Sequence, residues 1–164
     1  MRYHDIKKCD LLNGAGIRVT LFVAGCNHCC KNCQNPLTWN PNGGLPFDNE
    51  AKGELFTELA QDYIRGITFS GGDPLYPDNR EPITALAIEI KRKYPDKDIW
   101  LYTGYRWEEV KDLEIMKYVD VLVDGKYVEE LASVPYPWAG STNQRVIDVK
   151  ETRKDGKLRK YKTV

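Results

Sequence analysis

The sequence has no net charge, no long apolar run, no internal repeat and, outside one short stretch, almost no cysteine. Its 24 lysines and arginines are balanced by 24 aspartates and glutamates, which argues against a nucleic acid or an anionic membrane held by bulk charge. Only the C-terminal TRKDGKLRKYK (152–162) is locally basic, and it reads as a solvated segment. No stretch approaches the roughly eighteen apolar residues of a membrane span. The opening MRYHDIKKCD lacks the apolar core of a signal peptide. The expectation is a cytoplasmic protein with neither a nucleic-acid nor a membrane partner. At 164 residues the chain suits a single domain spanning 1–164, which hides about 70% of its unfolded surface and needs no disulfide staples.

What is present is concentrated. GCNHCCKNCQN (25–35) holds Cys26, Cys29, Cys30 and Cys33, four of the five cysteines, and only Cys9 lies elsewhere. Thiols stay reduced in the cytosol, so a cluster of them points to metal binding or catalysis rather than disulfides.

Around this stretch the chain alternates. IRVTLFVAG (17–25), GITFSGG (66–72), DIWLYTG (98–104) and VDVLVDG (119–125) are β-rich apolar runs that each end in a small or polar loop. Helical spacing lies between them. Leu55, Leu59 and Tyr63 recur within 49–64, Ile83, Ala87 and Ile90 within 81–94 with Pro82 in a first turn, and Trp107, Val110 and Leu113 within 106–119. Strand and helix in alternation predict parallel pairing. LASVPYPWAGSTNQR (131–145) reads as a long loop. About 145–161 then reads as a β-hairpin turning at Asp155-Gly156. In a parallel sheet the ends of the four runs share one edge, which is where α/β proteins build ligand sites. The cysteines, Ser70-Gly71-Gly72-Asp73-Pro74, Tyr102-Thr103-Gly104-Tyr105 and Asp124-Gly125 converge there.

The spacing of the cysteines leaves three arrangements open: Cys26, Cys30 and Cys33; Cys26, Cys29 and Cys33; or all four with His28 in reserve. A structural zinc draws two ligand pairs from separate segments, and no second knuckle exists here. A thioredoxin-like use of Cys30 and Cys33 fits less well. An iron–sulfur cluster is larger and takes thiolates from short loops of this type. Held by three, it keeps one iron open, with Cys29 then a bystander. Gly71-Gly72 suits a close backbone approach, and Arg18 in NGAGIR (13–18) reads either as a source of positive charge near the cluster loop or as a solvent-facing strand residue. YTGY (102–105) offers Tyr102 or Tyr105 to an adenine or to the core. Asn143, Gln144 and Arg145 give the 131–145 loop a polar tip suited to an extended peptide or to closing a site.

At these residues the chain resembles the radical S-adenosylmethionine superfamily, whose hallmark is C-x3-C-x2-C after the first strand of a complete or partial (β/α) barrel. The resemblance implies a partial barrel of about five or six mostly parallel strands. It implies one [4Fe-4S] cluster on Cys26, Cys30 and Cys33, with the open iron chelating S-adenosylmethionine. Gly71-Gly72-Asp73 is similar to the superfamily's GGE element at the amino end of that cofactor. Asn32, Cys33 and Gln34 would line it too, although many members carry an aromatic residue where this chain has Asn32. NGAGIRVTLFVAGC, SGGDP, YTGY, VDVLVDGKY and GSTNQR together resemble the activating components of anaerobic ribonucleoside-triphosphate reductases. That resemblance implies a reductive cleavage giving methionine and a 5′-deoxyadenosyl radical. It implies a partner, the reductase large subunit with its glycyl-radical loop, and a flavodoxin-type electron donor. Two other readings stand beside it: an activase or small radical enzyme of the same superfamily with another target, and a non-catalytic zinc or electron-transfer module.

Overall fold

Short runs whose alternate side chains are aliphatic build the centre of the molecule. In the computed structural model, which describes residues 1–134 and 137–162, seven strands form one sheet. They are β1 (Arg2–Asp10), β2 (Arg18–Val23), β3 (Leu45–Pro46), β4 (Gly66–Gly71), β5 (Asp98–Thr103), β6 (Val121–Asp124) and β7 (Arg145–Asp148), in the order β3-β1-β2-β4-β5-β6-β7. The four strands read from the sequence are the four central ones, and each pairs in parallel with its neighbour, Arg18 to Val23 against Gly66 to Gly71 at the first seam. β1 and β3 extend one side antiparallel, and β7 the other.

The architecture is α/β, as expected, with seven strands where about five or six were expected; the sheet is mixed, parallel in its middle, and not closed. β1 escaped notice because its nine residues alternate poorly: only Ile6 and Asp10 are buried. A bulge at Lys7–Asp10, with Cys9 in a left-handed conformation (φ 46°), breaks its register.

Period-two alternation gives the sheet two unlike faces. Val19, Leu21, Val23, Ile67, Phe69, Ile99, Leu101 and Leu122 point to one side. There they meet Leu55 and Leu59 of α1 (Asn49–Leu59) and Ile83, Ala87 and Ile90 of α2 (Pro77–Lys93). Each such side chain contributes about 1.5–3 kcal/mol of transfer free energy when fully buried. On the other face lie Arg18, Thr20, Thr68, Ser70, Trp100 and Tyr102, with no helix over them. Trp138 and Tyr161 pack on Trp100 instead, with ring centroids at 5.1 and 5.0 Å.

Three boundaries differ from the sequence reading. α1 stops at Leu59, so Tyr63 lies beyond it and is exposed. α2 begins five residues earlier than Pro82, at Pro77, which takes the first helical position and leaves Pro82 inside the helix. The stretch 106–119 forms only one α-turn, α3 (Trp107–Val110), followed by a 3-10 turn (Glu114–Lys117).

The C-terminal hairpin is also corrected. β7 ends at Asp148, whose carboxylate accepts from Glu151 N–H at 2.9 Å and caps α4 (Val149–Asp155). Gly156, at φ 75°, ends that helix in the left-handed region where glycine is favoured. The chain then returns along β7, with Arg159 carbonyl bonded to Asp148 N–H and Tyr161 N–H to Val146 carbonyl. The two segments do meet, but a helix joins them in place of a two-residue turn. Among the described residues no helix is long and apolar enough to cross a membrane.

Replacing Asp148 with alanine should lower the free energy of unfolding by about 1 kcal/mol, the usual effect of losing an N-cap, measured by urea denaturation. A strand residue in a hairpin would show almost no change.

Candidate functional site

The exits of β2, β4, β5 and β6 meet at one edge, and the backbone there is packed too closely for side chains. A Cβ on Gly71 (φ 106°) would lie 2.5 Å from the Val23 nitrogen, and one on Gly72 would lie 2.5 Å from the Gly25 carbonyl oxygen. The glycine pair is thus required by the approach of β2 to β4, whatever else it faces. Gly72 N–H bonds Val23 carbonyl and Asp73 N–H bonds Gly25 carbonyl, each at 2.8 Å. These bonds fix the point where the cysteine stretch leaves the sheet.

From that point the chain follows a short irregular path, anchored at its start by Gly25 N–H to Thr38 carbonyl and Cys26 N–H to Trp39 carbonyl. Cys26, Cys30 and Cys33 line one cavity of about 160 Å³, with His28, Gln34, Asn35, Ser70, Gly71, Gly72, Tyr102 and Thr103 among its other walls. Gly125, Gly140 and Gln144 close it from the far side. The Cys33 sulfur accepts from Asn35 N–H at 3.4 Å, and the His28 and Tyr127 backbones hold down the otherwise raised pKa values of Cys26 and Cys30. Cys29 is exposed, in a left-handed conformation (φ 51°) that turns it out of the path of its neighbours. Burial pushes the Cys26 thiol up to about 11 and raises that of Cys30 as well. Both would be protonated at neutral pH until a metal displaces the protons, since a coordinated thiol is deprotonated outright. Among the described residues no three His, Cys, Asp or Glu side chains are placed to hold a single metal ion. The three thiols share one cavity wall, within reach of a common metal group.

Of the other residues singled out from the sequence, Gln34, Gly71 and Gly72 lie on the cavity wall with Cys33. The Asn32 side chain turns away and donates to Glu129, which Lys31 also pairs at 2.9 Å. Asp73 is 1% exposed, and its carboxylate is taken up by His28, Thr103, Gly104 and Leu75. Arg18 is neither near the cavity nor in solvent. It is fully buried under the sheet, where it donates to Thr68 and Ile67, pairs with Asp98 at 2.5 Å and lies 5.3 Å from the Trp100 ring centroid. Burial pulls its pKa down while Asp98 holds it up.

The polar tip of the 131–145 loop is bonded partly within itself and partly to the stretch that follows β6. Gln144 accepts from Gly140 N–H and donates to Gly125 carbonyl; Asn143 donates to Lys126 carbonyl. Arg145 pairs with Asp124 at the β6 exit and with Glu108, which together raise its pKa. Residues 135–136 of this loop lie outside the described residues. His28 was overlooked as more than a spare donor; its place between Cys26 and Cys30 was the available signal.

Residues 12–147 match the family model described as a 4Fe-4S single cluster domain, which places the chain among single-cluster iron–sulfur proteins. The anaerobic ribonucleoside-triphosphate reductase-activating protein of Enterobacteria phage T4 is 50% identical over 146 residues, covering 89% of this chain and 93% of the phage protein. Proteins of the same name from Vibrio cholerae and Escherichia coli are 43% and 41% identical, over 88% and 89% of this chain and 96% and 97% of their own. The chain belongs to the family of anaerobic ribonucleoside-triphosphate reductase-activating proteins.

Gly72→Ala should destabilise the protein by about 2 kcal/mol or more, because backbone on both sides blocks relief of the overlap. Gly53→Ala, at an open helical position with no atom within 4 Å, should add up to about 1 kcal/mol. Thermal unfolding of both variants checks the contrast.

Proposed function

We propose that this chain activates an anaerobic ribonucleoside-triphosphate reductase by generating a glycyl radical on its large subunit. The observation that carries the reading is the set of three cysteines lining one cavity, with the fourth cysteine of the stretch exposed. Cys26, Cys30 and Cys33 would hold one [4Fe-4S] cluster and leave its fourth iron for S-adenosylmethionine. When bound and reduced, that cluster supplies one electron to the sulfonium, which divides into methionine and a 5′-deoxyadenosyl radical able to take a hydrogen atom from the partner's glycine Cα.

The chain's own contribution is placement. Gly71 and Gly72 present backbone close to the cysteines, so a ligand's amino or carboxylate group finds donors and acceptors without a Cβ in the way. Gln34 adds an amide beside Cys33, and Asn32 flanks them through its backbone. Tyr102, half-buried on the cavity wall and with its pKa raised by desolvation, stays a neutral phenol. The donor to the Cys33 sulfur would stabilise that thiolate and influence the cluster's potential. A flavodoxin-type protein is the expected electron source.

The cavity is open on the side of the sheet that carries no helix, and the groove continuing from it is lined by Leu12, Phe22, Tyr127, Val134 and Trp138. Leu12 and Val134 are 74% and 101% exposed. Exposed apolar side chains set in a mixed groove beside a reaction site suit docking of the subunit that brings the glycine.

Reconstituted without oxygen, the protein should bind about four irons and four sulfides per chain. Cys29→Ala should keep them and Cys30→Ala should lose most; the opposite pattern moves the ligand set. Dithionite and S-adenosylmethionine should then yield 5′-deoxyadenosine, and a fully loaded sample that yields none counts against the enzyme reading. Leu12→Asp should leave that cleavage within about twofold but lower glycyl-radical formation on the reductase roughly tenfold, an interface loss of about 1.4 kcal/mol. Electron paramagnetic resonance of the activated reductase reads the difference.

A further inference from the structure

Asp73 occupies the position that the resemblance gives to the amino group of S-adenosylmethionine, yet almost every polar atom it has is already committed. Its Oδ2 accepts from His28 Nε2–H at 2.5 Å, Thr103 Oγ1–H at 3.0 Å and Gly104 N–H at 3.0 Å, and its Oδ1 accepts from Leu75 N–H at 2.8 Å. Oδ2 thus takes three donors and Oδ1 one, which leaves one acceptor position on Oδ1. Its backbone N–H bonds Gly25, and its carbonyl receives Tyr76 N–H and the Asn79 amide. Asp73 does not line the cavity, whereas His28 does.

His28 is equally constrained. Its side chain is 7% exposed and lies against Gly104, where a Cβ would come within 2.4 Å of the ring. Tyr105 meets it edge-on at 4.6 Å, and Arg80 lies 5.5 Å from the Tyr105 ring centroid on its other contacts. The ring sits midway between Cys26 and Cys30, in a stretch whose regular backbone bonds are few. A buried carboxylate that takes donors from the cysteine stretch, from the exit of β5 and from its own turn after β4 is a fastening point for three separate segments.

We propose that Asp73 and His28 form a positioning pair, in which the carboxylate holds the imidazole and so fixes the arm between Cys26 and Cys30, and that Asp73 does not contact the sulfonium cofactor. The proposal rests on the cluster reading above. It differs from the family pattern in a way that chain geometry explains: aspartate is one methylene shorter than glutamate. That methylene keeps the carboxylate back at Thr103, Gly104 and His28, away from the cavity. The cofactor's ammonium then depends on the strand-end carbonyls and on Gln34.

The test uses the full chain, reconstituted anaerobically, as Asp73→Asn, Asp73→Glu, His28→Gln and the Asp73→Asn/His28→Gln double variant. Wild type must first show its reduced-cluster resonance shift when S-adenosylmethionine is added; no shift sinks the cluster reading itself and is thereby told apart from failure of the pair. For a positioning pair, Asp73→Asn and His28→Gln each alter the resonance of the reduced cluster before any cofactor is added and lower iron retention on gel filtration at least twofold. The double variant is then no worse than the poorer single one, and affinity for S-adenosylmethionine stays within about threefold per loaded cluster. Asp73→Glu gives no rescue, because its carboxylate overshoots the same donors. The pair is overturned if Asp73→Asn leaves the cofactor-free resonance unchanged while weakening S-adenosylmethionine tenfold or more, with Asp73→Glu restoring it. If Asp73→Asn does not fold, His28→Gln decides alone: an unchanged cofactor-free resonance with full iron retention also overturns the proposal.

Discussion

The arrangement of the site depends on how near β2 and β4 come to one another where they leave the sheet. Their parallel register ends with Val23 beside Gly71, and at that point no Cβ fits on either Gly71 or Gly72. Because Gly25 is bonded to Asp73, the first residue of the cysteine stretch starts from a place set by β4 rather than by its own loop. A loop of eight residues with little regular structure would otherwise sample many shapes, each ordered residue costing about 1–2 kcal/mol of backbone entropy. Anchoring its start to two strands and its middle to Asp73 removes much of that freedom before any cofactor arrives.

The unlike faces of the sheet serve different ends. The helix-covered face is aliphatic and supplies the burial that holds the fold. The other face is polar near β1 and β2, where Asp10 gathers Leu12 N–H, Asn13 and Thr20, and Arg18 gathers Thr68, Ala15 and Ile67. Burial alone would raise the Asp10 pKa, but these donors together outweigh it and hold it down. Thr68 accepts from Arg18 and donates its own hydroxyl hydrogen bond to Asn13 carbonyl at 2.7 Å, so the buried guanidinium and the loop at the cavity edge are tied through one side chain. A buried ion pair is poor evidence for stability. Here it is better understood as fixing where residues 13–15 run, since Gly14 approaches the Arg18 side chain too closely for any Cβ.

On the far side, the β6 exit is held by Asp124, which accepts from Trp107 N–H and pairs with Arg145. The polar residues that made the 140–145 stretch look suited to gripping a peptide mostly fasten it to the β6 exit: Asn143 and Gln144 donate to the Lys126 and Gly125 carbonyls, and Arg145 pairs with Asp124. That stretch forms one wall of the cavity, and the groove beside it offers exposed Leu12 and Val134 among polar residues such as Gln34 and Asn35. Recognition of the reductase under the proposed function would therefore rest on shape and on Leu12, Val134 and Trp138 more than on hydrogen bonds from Asn143 and Gln144.

The four central strands, both long helices and the edge where they meet were legible because period-two and period-3.6 patterns depend only on which side chains are buried. The cysteine spacing was legible for a similar reason: thiolate chemistry needs those atoms in a short loop. β1 was not, because a bulged strand at the side of a sheet has weak alternation. The helix α4 was not, because Asp-Gly serves a helix end as readily as a turn. By itself the sequence determined that three or four thiols gather beyond a parallel sheet. Only the tertiary structure decided that Asp73 faces His28, that Arg18 lies beneath the sheet and that the sheet stays open. Those outcomes turn on approaches of a few ångströms between segments 45 to 80 residues apart, and no local pattern encodes a distance of that kind.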